Sequence, residues 1–163
     1  MTLVQEKQSQ MIDVSIIIPV YNAADNLAGL IAKILSETRI NIELIIVNDG
    51  SVDGTGSIVR DIRDSRIILI EQNNQGVYAA RNTALDIHRG EWVIFLDADD
   101  DVEDGFIFTR WQTALATLAD VVIFNAWRTG SGTSRTPVHT RQPYGQSLSG
   151  HEWIRHCVTH REW

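Results

Sequence analysis

The sequence predicts an α/β domain built on an open, twisted, mostly parallel sheet flanked by helices. Two observations carry that prediction. Strand-like apolar runs alternate with helix-spaced apolar positions along most of the chain, the pattern of a parallel sheet covered by helices. The run Trp92-Val93-Ile94-Phe95-Leu96 then ends abruptly in Asp97, Asp99 and Asp100. A buried strand there delivers carboxylates at its carboxyl end, the edge of an open α/β sheet where ligands bind.

Taken in order, Val14 to Val20 reads as the first strand. Leu27, Leu30, Ile31, Ile34 and Leu35 recur at helical spacing behind Asn22 to Asp25, so the next element is an amphipathic helix packed on the sheet. Leu44 to Val47 is a second strand. The polar stretch Asn48-Asp49-Gly50-Ser51-Val52-Asp53-Gly54-Thr55 follows as a loop in which Ser51, Asp53 or Thr55 can cap a helix reaching about Arg63. Ile67 to Ile70 is a third strand. A loop through Asn73, Asn74 and Gly76 leads to a helix carrying Ala79, Ala80, Ala84, Leu85 and Ile87, with Gly90 as its C-cap. Trp92 to Leu96 is the fourth strand. Phe106, Trp111, Leu115 and Leu118 mark another helix, and Val121 to Phe124 another strand. From Arg128 to Leu148 Gly, Ser, Thr and Pro replace large apolar residues, which reads as a loop or hairpin. Ser149-Gly150-His151-Glu152 has capping-box spacing and opens a last helix with Trp153, Ile154, Cys157 and Val158 on its inner side. That helix runs into Trp163 without a closing turn. The expectation is a polar tail at residues 1–11 and one domain at 12–163 that stops short on its C-terminal side.

At 163 residues and 44% hydrophobic content, the chain can bury one good core. A formal charge of -7 and the lack of any Lys or Arg stripe argue against a nucleic-acid partner. The single Cys157 cannot form an internal disulfide, and the polar start from Met1 to Gln10 lacks the apolar core of a signal peptide. A cytoplasmic location is expected. No apolar run approaches the roughly 20 residues of a membrane helix.

Tyr21-Asn22, Asp49 and Asp97 to Asp100 all follow strands of the predicted sheet and should share one crevice. Clustered carboxylates are tolerable there if a hard divalent cation neutralises them. A solvated loop with Asp100 or Asp101 capping the next helix is the plainer alternative. An aromatic face, a side-chain acceptor and a carboxylate cluster together suit a nucleoside diphosphate. The first stacks on the base, the second bonds its imide, and the third holds a cation for the phosphates. No glycine-rich phosphate loop is present, so the phosphates would depend on metal, with Arg81 as a helper.

Four strings resemble those of family 2 glycosyltransferases of the GT-A fold. They are Val14-Ser15-Ile16-Ile17-Ile18-Pro19-Val20-Tyr21-Asn22, Ile45-Ile46-Val47-Asn48-Asp49-Gly50-Ser51-Val52-Asp53-Gly54-Thr55, Gly76-Val77-Tyr78-Ala79-Ala80-Arg81-Asn82 and Phe95-Leu96-Asp97-Ala98-Asp99-Asp100. They keep the family's order and spacing over about residues 12 to 125. The resemblance implies a metal-dependent, inverting transferase of hexosyl type. It would move a sugar from a nucleotide-diphosphate donor, a UDP-sugar favoured, to a saccharide or lipid-linked acceptor in polysaccharide or glycoconjugate biosynthesis. It further implies a nucleotide site of Pro19, Tyr21, Asn22, Asp49, Arg81 and Asp97, with Tyr21 packed on the base and Asp49 accepting from the ring imide. Asp97 and Asp99 correspond to the outer acids of the family's Asp-x-Asp motif. Asp99 is then the expected Mg²⁺ or Mn²⁺ ligand, and Asp97 serves the ribose or the metal. A peripheral association of the full protein with the inner face of the membrane is implied as well.

In this family the general base lies in an acidic motif well after the Asp-x-Asp, and no match precedes Trp163, so the base is expected beyond that residue. Glu152, the only acid between Asp120 and Glu162, is the remaining candidate, although its capping-box position explains it more simply. A noncatalytic nucleotide-sugar-binding module is the alternative function. A signalling receiver domain is disfavoured because it needs acids where the first strand here ends in Pro19-Val20-Tyr21-Asn22. His156 and His160 lack a third ligand and receive no site. Asp53 is divided between loop capping and substrate contact. Tyr78 and Trp92 are assigned to packing, and Trp127, Trp153 and Trp163 to the core or an interface with missing chain.

Overall fold

A computed structural model of the chain describes residues 11–124, 126–129, 135–137 and 145–152. Its elements are β1 (Val14–Val20), α1 (Ala24–Leu35), β2 (Ile42–Asp49), α2 (Thr55–Asp61), β3 (Ile67–Gln72), α3 (Val77–Leu85), β4 (Trp92–Phe95), α4 (Phe106–Thr117), β5 (Trp127–Thr129) and β6 (Arg135–Pro137). The chain divides into two compact units, Met1–Trp111 and Gln112–Trp163.

In the first unit β1 to β4 form one parallel sheet in the order β3-β2-β1-β4. The predicted open, mostly parallel sheet flanked by helices is what the chain adopts. Every residue of β1 and β2 is buried, as expected of central strands covered on both faces. Ile16, Ile18, Leu44 and Ile46 share one core with Leu27, Leu30, Ile31 and Ile34 of α1 and Val59 of α2. Ile17, Ile45 and Val47 form a second, thinner core with Ala80 and Ala84 of α3. The alanines let that helix lie close to the strands. Strand β2 extends two residues beyond the predicted Leu44 to Val47 at each end, because register carries polar residues into the ladder. Glu43 pairs with Ser15, and Asn48 and Asp49 pair with Glu71 and Gln72.

A polar cluster closes the amino end of this sheet. Glu43, 1% exposed, takes hydrogen bonds from Ser15 Oγ (2.6 Å), Arg89 N (2.7 Å), Arg89 Nε (2.8 Å) and Arg89 Nη2 (2.6 Å). Burial alone would raise its carboxyl, but those bonds and the guanidinium charge outweigh it and hold the group below its usual value. Gly90 belongs to the same cluster. Helix α3 ends at Leu85 with Asp86, not a glycine, as its C-cap. Gly90 N instead donates to Ser15 Oγ at 2.9 Å, and a Cβ at Gly90 would lie 2.4 Å from Ser15 N. The glycine serves a close backbone approach, not a helix stop.

Other expectations are corrected. Helix α2 ends at Asp61, short of Arg63, and its cap is Gly54 with no side-chain cap bond. Ile87 lies past the end of α3. Strand β4 ends at Phe95, one residue before Leu96. Residues 121–124 form no strand, and Val121 is 71% exposed; a short apolar run becomes a strand only where a neighbour pairs with it. Leu118 falls just after α4, at φ 52° and 90% exposed, so it packs on no inner face. Tyr78 is exposed rather than packed, Trp92 packs against the first core, and Trp127 is exposed and so not a core residue. In the second unit β5 and β6 pair antiparallel, giving the hairpin expected after Arg128. Ser149 and Glu152 form the expected capping box, with Ser149 N and Oγ donating to Glu152 Oε2 at 2.8 and 2.7 Å. The helix face of Trp153, Ile154, Cys157 and Val158, together with His156, His160 and Trp163, lies outside the described residues. Among the described residues no helix is long and apolar enough to cross a membrane.

Candidate nucleotide site

Sheet order locates the site. The chain steps from β1 to β2 to β3 in one direction and then crosses to put β4 on the other side of β1. A crevice therefore opens outside the carboxyl ends of β1 and β4, the switch point at which open α/β sheets bind ligands. A pocket of about 310 Å³ lies there, lined by Pro19, Tyr21, Asn22, Ala23, Asp25, Asn26, Ala98 and Asp99. Four residues singled out from the sequence, Pro19, Tyr21, Asn22 and Asp99, thus meet in one cavity.

The pocket's first wall is held by two interlocked loops. Asn22 has a left-handed backbone, φ 51°, that a non-glycine residue keeps only when its surroundings hold it. Its N–H donates to Ser51 Oγ at 2.9 Å, and its Oδ1 accepts from Val52 N at 2.9 Å. Next to it Ala23 N donates to Thr55 Oγ1 (2.9 Å) and Ala24 N to Asp53 Oδ2 (3.3 Å). Asp53 Oδ1 also takes the Thr55 N–H and hydroxyl, which, with the other bonds it accepts, holds its carboxyl below the usual value. Asp53 is accordingly loop structure, the capping alternative, although its bonds brace α1 as well as α2. Tyr21, 54% exposed, sits beside this clasp and lines the pocket.

Asp49 ends β2 and is 4% exposed. Its Oδ1 accepts from Gln72 Nε2 (2.7 Å) and Gln75 N (2.9 Å), and its Oδ2 from Gly76 N (2.8 Å). Gly76 sits at φ 90°, which leaves the position to glycine and turns its N–H toward the carboxylate. Burial pushes the Asp49 carboxyl up, but the bonds from Gln75, Gln72 and Gly76 prevail and keep it below its ordinary value. It is a charged acceptor with three of about four lone-pair sites filled.

The acidic loop after β4 is tied down at several points. Asp97 Oδ1 pairs with Arg81 Nη2 of α3 at 2.6 Å, and the Arg81 guanidinium lies 5.6 Å from the Phe95 ring centre. Asp97 N donates to Asp100 Oδ2 at 2.8 Å, while Asp101 bonds Lys33 of α1. Asp99 is exposed in the pocket and has no side-chain hydrogen bond or ion pair among the described residues. Those residues hold no cluster of three or more metal-ligating side chains. Asp25 and Asp99 nevertheless line one pocket, two carboxylate residues with Asn26 beside them. Hard divalent cations such as Mg²⁺ bind through one or two carboxylates and the phosphates of a substrate, so these residues fit such an ion. Asp100 closes its own loop through the Asp97 N–H, short of the start of α4 at Phe106, while Asp99 stands clear.

Ser51, Thr55, Gln72 and Asp25 are site residues that the sequence reading did not assign to it. The partners of Ser51, Thr55 and Gln72 lie 23 to 32 positions away in the bonds that matter, beyond the reach of local patterns. The only local signal was the density of Ser, Thr and Asp between Asn48 and Thr55.

Comparison with known proteins agrees with this architecture. Residues 15–160 match the model of glycosyl transferase family 2. The chain is similar to glycosyltransferase GlyA of Streptococcus pneumoniae, at 39% identity over 69% of this chain and 16% of that protein. It is also similar to the Escherichia coli UDP-Glc:alpha-D-GlcNAc-diphosphoundecaprenol beta-1,3-glucosyltransferase WfaP, at 48% identity over 53% of this chain and 35% of that one. Among solved structures, that of Staphylococcus aureus TarS 1-349 in complex with UDP-GlcNAc superposes with a TM-score of 0.63 at 25% identity, covering 67% of this chain and 33% of that one. The chain thus spans well under half the length of each of these relatives.

Proposed function

The chain belongs to glycosyltransferase family 2, and on that premise we propose that it forms the donor-nucleotide half of a metal-dependent, inverting hexosyltransferase. The donor is a nucleotide-diphosphate sugar, a UDP-sugar favoured, and the acceptor a hydroxyl on a saccharide or lipid-linked saccharide in polysaccharide or glycoconjugate assembly. The observation that carries this reading is the pocket between the ends of β1 and β4, lined by both Tyr21 and Asp99, a carboxylate with no side-chain partner among the described residues. Two relatives support the choice of donor by what they are named for, a UDP-Glc transferase to a diphosphoundecaprenol-linked sugar and a transferase bound to UDP-GlcNAc.

Tyr21 stacks on the base. Asp49 accepts the imide N–H at its remaining lone pair, which favours uracil over adenine, a base with no ring N–H to offer. Asp99 and Asp97 are the metal-side residues; Asp97 is shared with Arg81 and serves the ribose or the metal once the nucleotide arrives. A divalent cation at Asp99 would act as a Lewis acid for the diphosphate leaving group. Arg81 holds further positive charge near the phosphates. A general base beyond Trp163 belongs to the same proposal, supported by the capping-box bonds that engage Glu152. Association of the full protein with a membrane surface would follow from a lipid-linked acceptor.

Calorimetric titration of UDP with Mn²⁺, Mg²⁺ or chelator tests the proposal. The expected result is metal-dependent binding that Asp99→Asn weakens severely. Equal binding after chelation would remove the metal from the mechanism, and a preference for ADP over UDP would overturn the role given to Asp49.

A further inference from the structure

The three donors on Asp49 all come from residues 72–76, and one of them is itself held from behind. Gln72, the last residue of β3, gives its Nε2 to Asp49 Oδ1 at 2.7 Å. Its other amide atom, Oε1, accepts from the hydroxyl of Thr83 on α3 at 2.8 Å. The direction of each bond follows from chemistry. An ionised carboxylate only accepts, so the nitrogen of the Gln72 amide faces Asp49 and the oxygen faces away. The atom facing that oxygen must then donate, and a threonine hydroxyl can. The hydroxyl has one proton; its alternative acceptor, Ala79 O, is farther away at 3.1 Å.

The consequence lies in which oxygen of Asp49 remains open. Oδ1 takes two bonds, from Gln72 and Gln75, whereas Oδ2 takes one, from Gly76. A carboxylate oxygen accepts about two. The remaining acceptor site is therefore on Oδ2, and without Gln72 a competing one would open on Oδ1.

We propose that Thr83 and Gln72 form a positioning relay that holds Asp49 with Oδ2 as its open acceptor, and so set the preference for a nucleobase carrying a ring imide. The inference rests on the nucleotide reading of Asp49 given above. Neither residue touches the base; each acts through the next. Cytosine is the discriminating probe, because it matches uracil in size but has an unprotonated ring nitrogen where uracil has N–H.

The experiment titrates UDP and CDP, each with Mn²⁺, into the full chain and into Thr83→Val, Thr83→Ser and Gln72→Met, with thermal unfolding recorded for every variant. Thr83→Val keeps the shape and deletes the donor. Loss of one neutral hydrogen bond corresponds to about fivefold in affinity, so the UDP-over-CDP ratio is expected to fall about fivefold, through weaker UDP binding. Thr83→Ser restores the ratio, and Gln72→Met lowers it at least as far as Thr83→Val. A ratio unchanged in Thr83→Val and Gln72→Met, or equal weakening of both nucleotides, makes these residues merely structural and overturns the relay alone. A wild-type chain that binds neither nucleotide overturns the functional reading and the relay together.

Discussion

Replacing Glu43 by Gln changes one oxygen into an amide NH₂ and should cost the fold about 2 kcal/mol at neutral pH. The four bonds it accepts divide evenly, Ser15 Oγ and Arg89 N on Oε1, and the Arg89 Nε and Nη2 on Oε2. A glutamine can satisfy only one of these pairs. Keeping its oxygen toward Ser15 and Arg89 N is the better choice, because the Arg89 side chain is 64% exposed and can turn to water. The guanidinium bonds are then lost, together with the negative charge that strengthened the other two. Cutting a fully buried ion pair costs about 3–5 kcal/mol, and a single hydrogen bond to a charged group is worth about 1.5–3 kcal/mol. Solvent access to Arg89 puts the total at the lower end. For a chain of this size that is about 4–8 °C in melting temperature. The pH dependence has a definite sign. Glu43 is held below its unfolded value in the native state, so its contribution is complete above the unfolded carboxyl range and fades as pH falls through the folded value. Urea unfolding of both proteins from pH 7 to pH 3 should show a gap that closes at the acid end, since the glutamine does not titrate. Equal stability at pH 7, or a gap that persists unchanged through pH 3, would refute the reasoning.

Two further outcomes are expected. Gly90→Ala forces a Cβ within 2.8 Å of three atoms of Val14 and Ser15, two of them backbone, and should destabilise by about 3 kcal/mol or more, read as a lower urea midpoint. Tyr21→Ala should leave the melting temperature nearly unchanged, because the ring is half exposed, yet weaken UDP by about 1–3 kcal/mol in calorimetry.

Much of the fold was legible because the signals were local. The apolar run of β1, broken by Ser15, and the helical spacing of Leu27, Leu30, Ile31 and Ile34 announce a covered central strand and an amphipathic helix from within single windows. Tyr21, Asn22 and Asp99 were legible as site residues because position after a strand is a local property too. Glu43 carries no such signal. It sits inside an apolar stretch, and its partners lie 28 and 46 positions away. Gly90 was read as a helix stop since it follows helical spacing, whereas its task is set by a strand 75 positions earlier. The run from Val121 shows the converse error, local composition suggesting a strand to which no neighbour gives a ladder.

The clasp between the loop after β1 and the loop after β2 makes those two segments one exchangeable part. Asn22 cannot hold its left-handed turn without Ser51 and Val52, and α1 begins on bonds that Ala23 N and Ala24 N donate to Thr55 and Asp53. Anyone grafting donor preference from one relative into another would therefore transplant residues 19–26 and 48–55 together. Moving either alone brings a loop whose support was left behind in the parent.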